Sequence, residues 1–246
     1  MKNVPVHILL AAFVFGALAE PSIGEKALPD AAVLLERIRE SWTGIAVRMD
    51  ATMTISKPEG SETSCELKIL RAGDDRTRIE FLSPERHRGK VMLMAEGKLW
   101  LYLPRANKVT QIPRRRDPFG LSSLFNDLAF DESEISSATV TERPDRYQLE
   151  LQYHRKKVHG PSRISFDKST LLPTRCEFFS SSERLLRSVV IEKRERWRGI
   201  PLPSTVRVLG VSRKWKEVRL EIEEFGDLTA EDAELCSLDA LGSSRD

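Results

Sequence analysis

Few side chains in this sequence are able to do covalent or metal chemistry. Histidine occurs at His7, His87, His154 and His159, and cysteine at Cys65, Cys176 and Cys236. His154 and His159 are an odd number of positions apart, so a continuous strand would point them to opposite faces. No cysteine or carboxylate spacing completes a zinc site around them. His87 lies between Arg86 and Arg88 in a loop and reads as a surface side chain. Serine is plentiful, but no Gly-x-Ser-x-Gly elbow and no trustworthy Ser-x-x-Lys pattern accompanies it. The chain is therefore expected to work without catalytic residues, metal or cofactor. The odd cysteine count allows at most one internal disulfide and does not choose the pair.

What the sequence does offer is apolar binding. Val91 and Leu93 occupy one face of a strand while Met92 and Met94 occupy the other, and the next strand repeats this with Leu99, Leu101 and Leu103 against Trp100 and Tyr102. A strand apolar on both faces must be covered on both. One covering is either an ordinary packed helix or a removable lid over a groove, and methionine suits the second case because its flexible thioether adapts to guests of varied shape. Next come Pro113-Arg114-Arg115-Arg116-Asp117-Pro118 and then Phe119, Leu121, Leu124, Phe125, Leu128 and Phe130. Leu121, Leu124, Phe125 and Leu128 have the i, i+3, i+4, i+7 spacing of a short amphipathic helix, either core or lid. Arg114, Arg115 and Arg116 form a solvated turn or meet anionic headgroups or an acidic partner at the groove mouth.

The elements that must position these residues are mostly strands. Asp30 to Trp42 reads as a helix, with Asp30 as N-cap and Leu34, Leu35, Ile38 and Trp42 on one face. The period then changes to two. Val47, Met49, Ala51, Met53 and Ile55 alternate with Arg48, Asp50, Thr52 and Thr54, as in a strand with one wet face. The pattern returns over Tyr147–Tyr153, Ile164–Asp167 and Val218–Glu223, and more weakly over 65–70, 77–82, 108–112, 134–141, 174–179, 186–193 and 205–209. Turn signals such as Glu96-Gly97, Pro144-Asp145 and Gly160-Pro161 separate them. Ten or more strands in succession, with no room for crossover helices, predict one large curved antiparallel sheet. A short C-terminal helix from Thr229, with Asp232 completing a capping box, is expected last.

The 246 residues are 40% hydrophobic, with 39 basic and 37 acidic side chains. Such composition excludes collagen-like, coiled-coil and largely disordered chains, and the net charge of +2 removes the electrostatic case for a dedicated nucleic-acid binder. The one long apolar run, Ile8 to Ala19, is shorter than the roughly 20 residues a bilayer core requires. With Lys2 before it and Ala17-Leu18-Ala19 at its end, it reads as a signal peptide, residues 1–19, cleaved after Ala19. Residues 20–246 are then expected to be one domain.

At Phe81-x-x-Pro84, Arg88-Gly89-Lys90-Val91-Met92-Leu93, Lys98-Leu99-Trp100-Leu101-Tyr102-Leu103-Pro104 and Phe119-Gly120-Leu121-Ser122-Ser123, the chain resembles the LolA-like family of outer-membrane lipoprotein-sorting proteins. Asp167 to Pro173 with Glu177-Phe178-Phe179, and Ile200-Pro201-Leu202-Pro203 with Val206-Arg207-Val208, are similar to later parts of that family. The likeness runs roughly from Ala31 to Leu235. Arg114–Arg116 is more basic than the family pattern, and Asp127-Leu128 departs from it. The resemblance implies a mainly β fold with a few helices: an unclosed antiparallel β-barrel with a helical lid and an apolar interior for acyl chains.

It also implies a periplasmic carrier that moves the acyl chains of a lipoprotein or lipid towards the outer membrane. Its partners would be an inner-membrane exporter and an outer-membrane acceptor, with transient membrane contact and no nucleic acid. Met92, Met94, Trp100 and Tyr102 are expected to share one face of the groove. Phe119, Leu124, Phe125 and Leu128 would form its lid, with Ile38 and Trp42 contributing from the first helix. The alternative is an envelope sensor or exporter accessory that binds lipid or lipoprotein without transporting it. Two-domain sensors of that kind need more sequence than the short stretch after Phe225, which favours the carrier.

Overall fold

The computed structural model describes residues 28–42, 45–73, 76–113, 121, 132–154, 160–210 and 215–241. Helix α1 (Ala31–Trp42) leads into β1 (Val47–Ser56), β2 (Glu62–Arg71), β3 (Thr77–Phe81), β4 (Val91–Ala95), β5 (Lys98–Leu103) and β6 (Lys108–Ile112). The second run is β7 (Ile135–Glu142), β8 (Arg146–Tyr153), β9 (Ser162–Asp167), β10 (Pro173–Phe179), β11 (Leu185–Trp197), β12 (Ile200–Gly210) and β13 (Glu217–Gly226). A short helix α2 (Ala230–Leu235) follows. All thirteen strands form one antiparallel sheet in the order β6-β5-β4-β3-β2-β1-β13-β12-β11-β10-β9-β8-β7. The first and last strands pair at its centre, while β6 and β7, neighbours in sequence, are its two free edges. The sheet is therefore not closed, as the resemblance to the LolA-like family implies.

Local chemistry sets the hairpins. Glu96 and Gly97 both have positive φ (52° and 70°), and so do Arg198 and Gly199 (49° and 82°). These are the two-residue turns whose twist matches that of the flanking strands. The β1–β2 turn closes with the Gly60 amide donating to the Lys57 carbonyl at 2.9 Å. Strand residues facing the concave side are mainly apolar, and directly paired ones form rows. One row runs Ile55, Val218, Val208, Val189, Cys176, Ile164, Leu149, Val140 across eight strands.

The convex side carries the charge. Arg207 reaches Glu217 at 2.7 Å and Glu192 at 2.8 Å, Arg163 reaches Glu150 at 2.9 Å, and Arg175 reaches Glu177 at 3.0 Å. This is the solvated face that the alternation predicts.

Helix α1 starts where the Asp30 carboxylate accepts the Ala32 amide at 3.0 Å. It buries Leu34 and Ile38 in the main core, packed on β12 and β7. Helix α2 has the expected capping box between Thr229 and Asp232, and packs on β2 from the other side. Cys65, Cys176 and Cys236 are all buried free thiols.

At the β9–β10 turn, the Asp167 carboxylate accepts from the amides and hydroxyls of Ser169 and Thr170, which hold it down at about 2. A carboxyl depressed on folding stabilises above its unfolded value of about 3.9, and that contribution is lost as pH falls through the folded value. Asp167→Asn is accordingly expected to be less stable than the parent at neutral pH, with the gap closing between about pH 4 and pH 2. Denaturant titrations across that window check it; a gap independent of pH would mean that ionised Asp167 does not hold the turn.

Candidate functional site

Among the described residues the concave wall is an extended, mainly apolar surface. Its centre is formed by Met49, Ala51 and Met53 of β1, Leu67 and Ile69 of β2, Ile79 and Phe81 of β3, and Met92 and Met94 of β4, all buried. Every methionine after Met1 is on this wall. Toward the two free edges the same face changes from buried to half-exposed, still apolar. Leu101 and Ile112 line the β5–β6 lip, and Ile135, Ala138, Val140 and Tyr153 line the β7–β8 lip. The connection between the lips contributes Leu121, fully buried in the core. An apolar wall that opens between two greasy lips can take up hydrocarbon by the hydrophobic effect, with no bond made or broken.

The hairpin singled out by the sequence is covered on both faces, but its residues divide differently from the expectation. Met92 pairs with Leu101 and Met94 with Leu99, whereas Val91 pairs with Tyr102 and Leu93 with Trp100. Directly opposed residues share a face, so Met92 and Met94 belong to the concave wall and Trp100 and Tyr102 to the convex side. The expectation that all four line one surface is thus corrected. The turn fixes this: with Glu96-Gly97 as its two central residues, each even-numbered position faces an odd-numbered one. The convex patch of Val91, Leu93, Ala95, Trp100 and Tyr102 is covered by Leu241, beyond α2, and the Tyr102 hydroxyl donates to Asn107 at 3.3 Å.

Ile38 is buried in the core cluster on the concave side. Trp42 ends α1, and its side chain lies outside the described residues, as do Phe119, Leu124, Phe125 and Leu128 and the basic run Arg114, Arg115 and Arg116. Met49, Met53, Ile79 and Phe81 were not singled out as lining from the sequence, although the alternation in β1 already placed the two methionines on one face.

One arginine breaks the apolar character. Arg71 ends β2 opposite Val47 and is 4% exposed. Arg194 of β11 is half-buried, and its Nη2 donates to the Pro173 carbonyl. Its Nη1 is enclosed with no hydrogen-bond partner, and no carboxylate among the described residues pairs with it. Burial pushes the guanidinium down to about 10. On the convex side, a polar cleft of about 390 Å³ is lined by Arg146, Gln148, Ser165, Asp167, Arg175 and Glu177, among others. Among the described residues no helix is long and apolar enough to cross a membrane, and no group of His, Cys, Asp and Glu could hold a metal ion.

A family model described as "-like: Uncharacterized protein" matches residues 73–227. No curated protein matches the chain. Among solved structures, a LolA superfamily protein from Nitrosomonas europaea is similar at a TM-score of 0.68 and 17% identity, covering 87% of this chain and 100% of that one. A domain named for outer membrane lipoprotein sorting, from Vibrio parahaemolyticus, is similar at 0.68 and 16%, covering 86% and 97%. A DUF1329 family protein from Desulfovibrio piger is similar at 0.68 and 19%, again covering 86% and 97%. At such identities the likeness is one of fold.

Proposed function

We propose that this chain, which belongs to the family described as "-like: Uncharacterized protein" and has the fold of the LolA superfamily, is a carrier of acyl chains. The observation that carries this reading is the concave wall itself. It is built mainly of apolar side chains, it holds every methionine after Met1, and it belongs to a sheet left open between β6 and β7. The exported chain, cleaved after Ala19, would take the acyl chains of a lipoprotein or lipid from an inner-membrane exporter and yield them to an outer-membrane acceptor. Binding alone serves such a role, so no catalytic residue is required.

The energetics explain why a carrier of this build is needed. Each buried methylene contributes about 0.8 kcal/mol, so a sixteen-carbon chain resists exposure to water by about 12 kcal/mol. A wall that covers most of the chain removes that barrier to crossing an aqueous space. Closure of a lid subtracts from the binding free energy and makes release feasible. The segment between β6 and β7, with Phe119, Leu124, Phe125 and Leu128, is our candidate for that lid, and Arg114–Arg116 for contact with headgroups or a partner.

Native mass spectrometry of protein purified from an envelope fraction tests the reading, with copurified acylated species as the expected result. A lip variant provides the second test. Leu101→Glu places a carboxylate on the half-exposed edge of the wall and is expected to weaken uptake of a hydrophobic fluorescent probe about tenfold or more, since a charge opposes apolar burial. Trp100→Ala, one residue away on the convex side, is expected to leave uptake unchanged. Equal responses from the two variants, or ligand-free protein that ignores the probe, would reject the carrier.

A further inference from the structure

The end of the sheet at which β3 turns into β4 and β5 into β6 gathers positive charge. Residues 82–90 and 104–108 hold five cations, Arg86, Arg88, Lys90, Arg105 and Lys108, against one carboxylate, Glu85, in a chain whose net charge is only +2. The two loops are neighbours. Val91 is opposite Tyr102 and Leu103 opposite Lys108, so Lys90 and Lys108 stand on either side of Leu103. A Cβ added at Gly89, whose φ is 73°, would be 3.5 Å from the Pro104 ring. The first loop is fixed by its own backbone: the Gly89 amide donates to the Phe81 carbonyl at 2.9 Å, the His87 amide to Pro84 at 2.7 Å and the Lys90 amide to His87 at 3.1 Å.

Little of this charge is neutralised. Arg88 pairs with Glu85 at 3.0 Å. Arg86 donates to the Thr63 hydroxyl at 3.2 Å, and Lys90 Nζ is 2.7 Å from His87 Nδ1. Burial, with the Lys90 and Arg86 charges, lowers the His87 pKa, so the ring is neutral at neutral pH and accepts from Lys90. On the β2 side, Glu62 accepts the Ser56 hydroxyl at 2.8 Å and Glu66 is exposed. Among the described residues no carboxylate pairs with Arg86, Lys90, Arg105 or Lys108.

Two of the large apolar side chains that the described residues expose are in the same place. Leu82 is 39% exposed and Val109 36%. Leu82 opens the first loop, its amide on the Glu66 carbonyl at 2.8 Å, and Val109 pairs with Tyr102 on the convex rim. Three strand spacings, about 14 Å, separate β3 from β6, so these are single protrusions. Cations around isolated aliphatic tips suit a surface that is charged outside and hydrocarbon beneath. Long basic side chains keep their heads in the polar layer while their stems lie along apolar material, and each contributes about 1 kcal/mol near an anionic bilayer. Residues 82–90 and 104–109 contain no Phe, Tyr or Trp, the anchors that protein interfaces favour.

We propose that this end of the sheet docks on an anionic lipid bilayer, with Arg86, Arg88, Lys90, Arg105 and Lys108 at the headgroups and Leu82 and Val109 in the interfacial layer. The proposal rests on the carrier reading for its use, since a carrier must come to a membrane to take or yield an acyl chain. The contact itself needs no cargo.

Cosedimentation of the processed chain, residues 20–246, with vesicles of phosphatidylcholine alone or with about 30% phosphatidylglycerol tests it. The anionic vesicles are expected to bind at least about tenfold better, with the preference falling as salt rises. Arg86→Gln combined with Arg105→Gln removes two exposed cations and is expected to weaken that binding about thirtyfold. Its melting temperature and its uptake of the hydrophobic fluorescent probe should match the parent. Leu82→Ser is expected to weaken vesicle binding about fivefold.

Equal binding to both vesicles, or a double variant that binds like the parent, would overturn the proposal; with probe uptake retained, the carrier reading stands. Binding lost only in Arg114→Gln, Arg115→Gln, Arg116→Gln would assign the membrane to that run and equally overturn it. Binding to poly-L-glutamate as tight as to vesicles, and insensitive to Leu82→Ser, would assign an acidic protein to this surface instead. A preference for anionic vesicles in protein that takes up no probe would support the docking surface and remove the carrier.

Discussion

Ala51→Phe is expected to abolish most acyl binding without unfolding the protein. Ala51 is at the middle of the central strand β1, between Met49 and Met53 on the same face and directly opposite Leu67 and Ile222. It is a small residue among larger ones, Met49, Met53, Leu67 and Ile222. If a guest chain lies over this point, an added ring takes the place of about four methylenes. At about 0.8 kcal/mol each, that loss weakens binding by roughly a hundredfold. The ring itself remains buried in the space the guest would have used, so the melting temperature should hardly change. Titration with the fluorescent probe, alongside denaturant unfolding, checks both halves. The contrary result is equally clear: unfolding made easier by about 1–3 kcal/mol with probe uptake preserved is the signature of overpacking a filled interior, and would remove the guest from this part of the wall.

The second large effect is on stability. Phe166 is fully buried on β9, paired with Tyr147 and Pro173, two strands in from the β7 edge. Phe166→Ala removes a large side chain from a site whose backbone is held on both sides by ladder hydrogen bonds, so collapse around the void is limited. A loss of about 3–5 kcal/mol is expected, a substantial part of the roughly 5–15 kcal/mol available to a folded chain. Urea unfolding followed by far-ultraviolet circular dichroism measures it. A loss below about 1 kcal/mol would mean that the β8–β10 part of the core relaxes around the vacancy, and that the wall is more plastic than its burial indicates.

These two variants separate the residues that build the wall from the residues that use it. The first changes what the concave surface can hold; the second changes whether the surface forms. A carrier requires both kinds, because a groove left vacant for a guest forgoes some of the packing that a filled core would supply. The mixed-charge ladders of the convex face contribute little to this balance. Exposed pairs such as Arg163–Glu150 are each worth about 0–1 kcal/mol, and they keep that side wet and single-sided.

Much of this was legible along the chain. The alternation of Val47, Met49, Ala51, Met53 and Ile55 with polar residues reports a half-buried strand, because side chains in a strand point to opposite faces in turn and only one face meets water. Turn residues such as Glu96-Gly97 then mark where each strand reverses. The same turn determines which residues oppose which, so the separation of Met92 and Met94 from Trp100 and Tyr102 was available from residue numbers, even though both faces of that hairpin are apolar and hydropathy alone does not distinguish them. Asp30, Thr229 and Asp232 declared the helix starts by their capping chemistry, which is also local.

Tertiary structure decided the remainder, and for a common reason: each such feature depends on groups far apart in sequence. The pairing of β1 with β13 joins the two ends of the meander and leaves β6 and β7 as the edges, an outcome no local pattern encodes. Which side of the sheet is concave depends on how all thirteen strands twist together. Leu241 covering Trp100 and Tyr102, and Arg194 of β11 reaching the Pro173 carbonyl of β10, likewise exist only once distant strands are in register. Periodicity is a property of neighbours in the chain, whereas an opening, its lips and a buried charge are properties of neighbours in space.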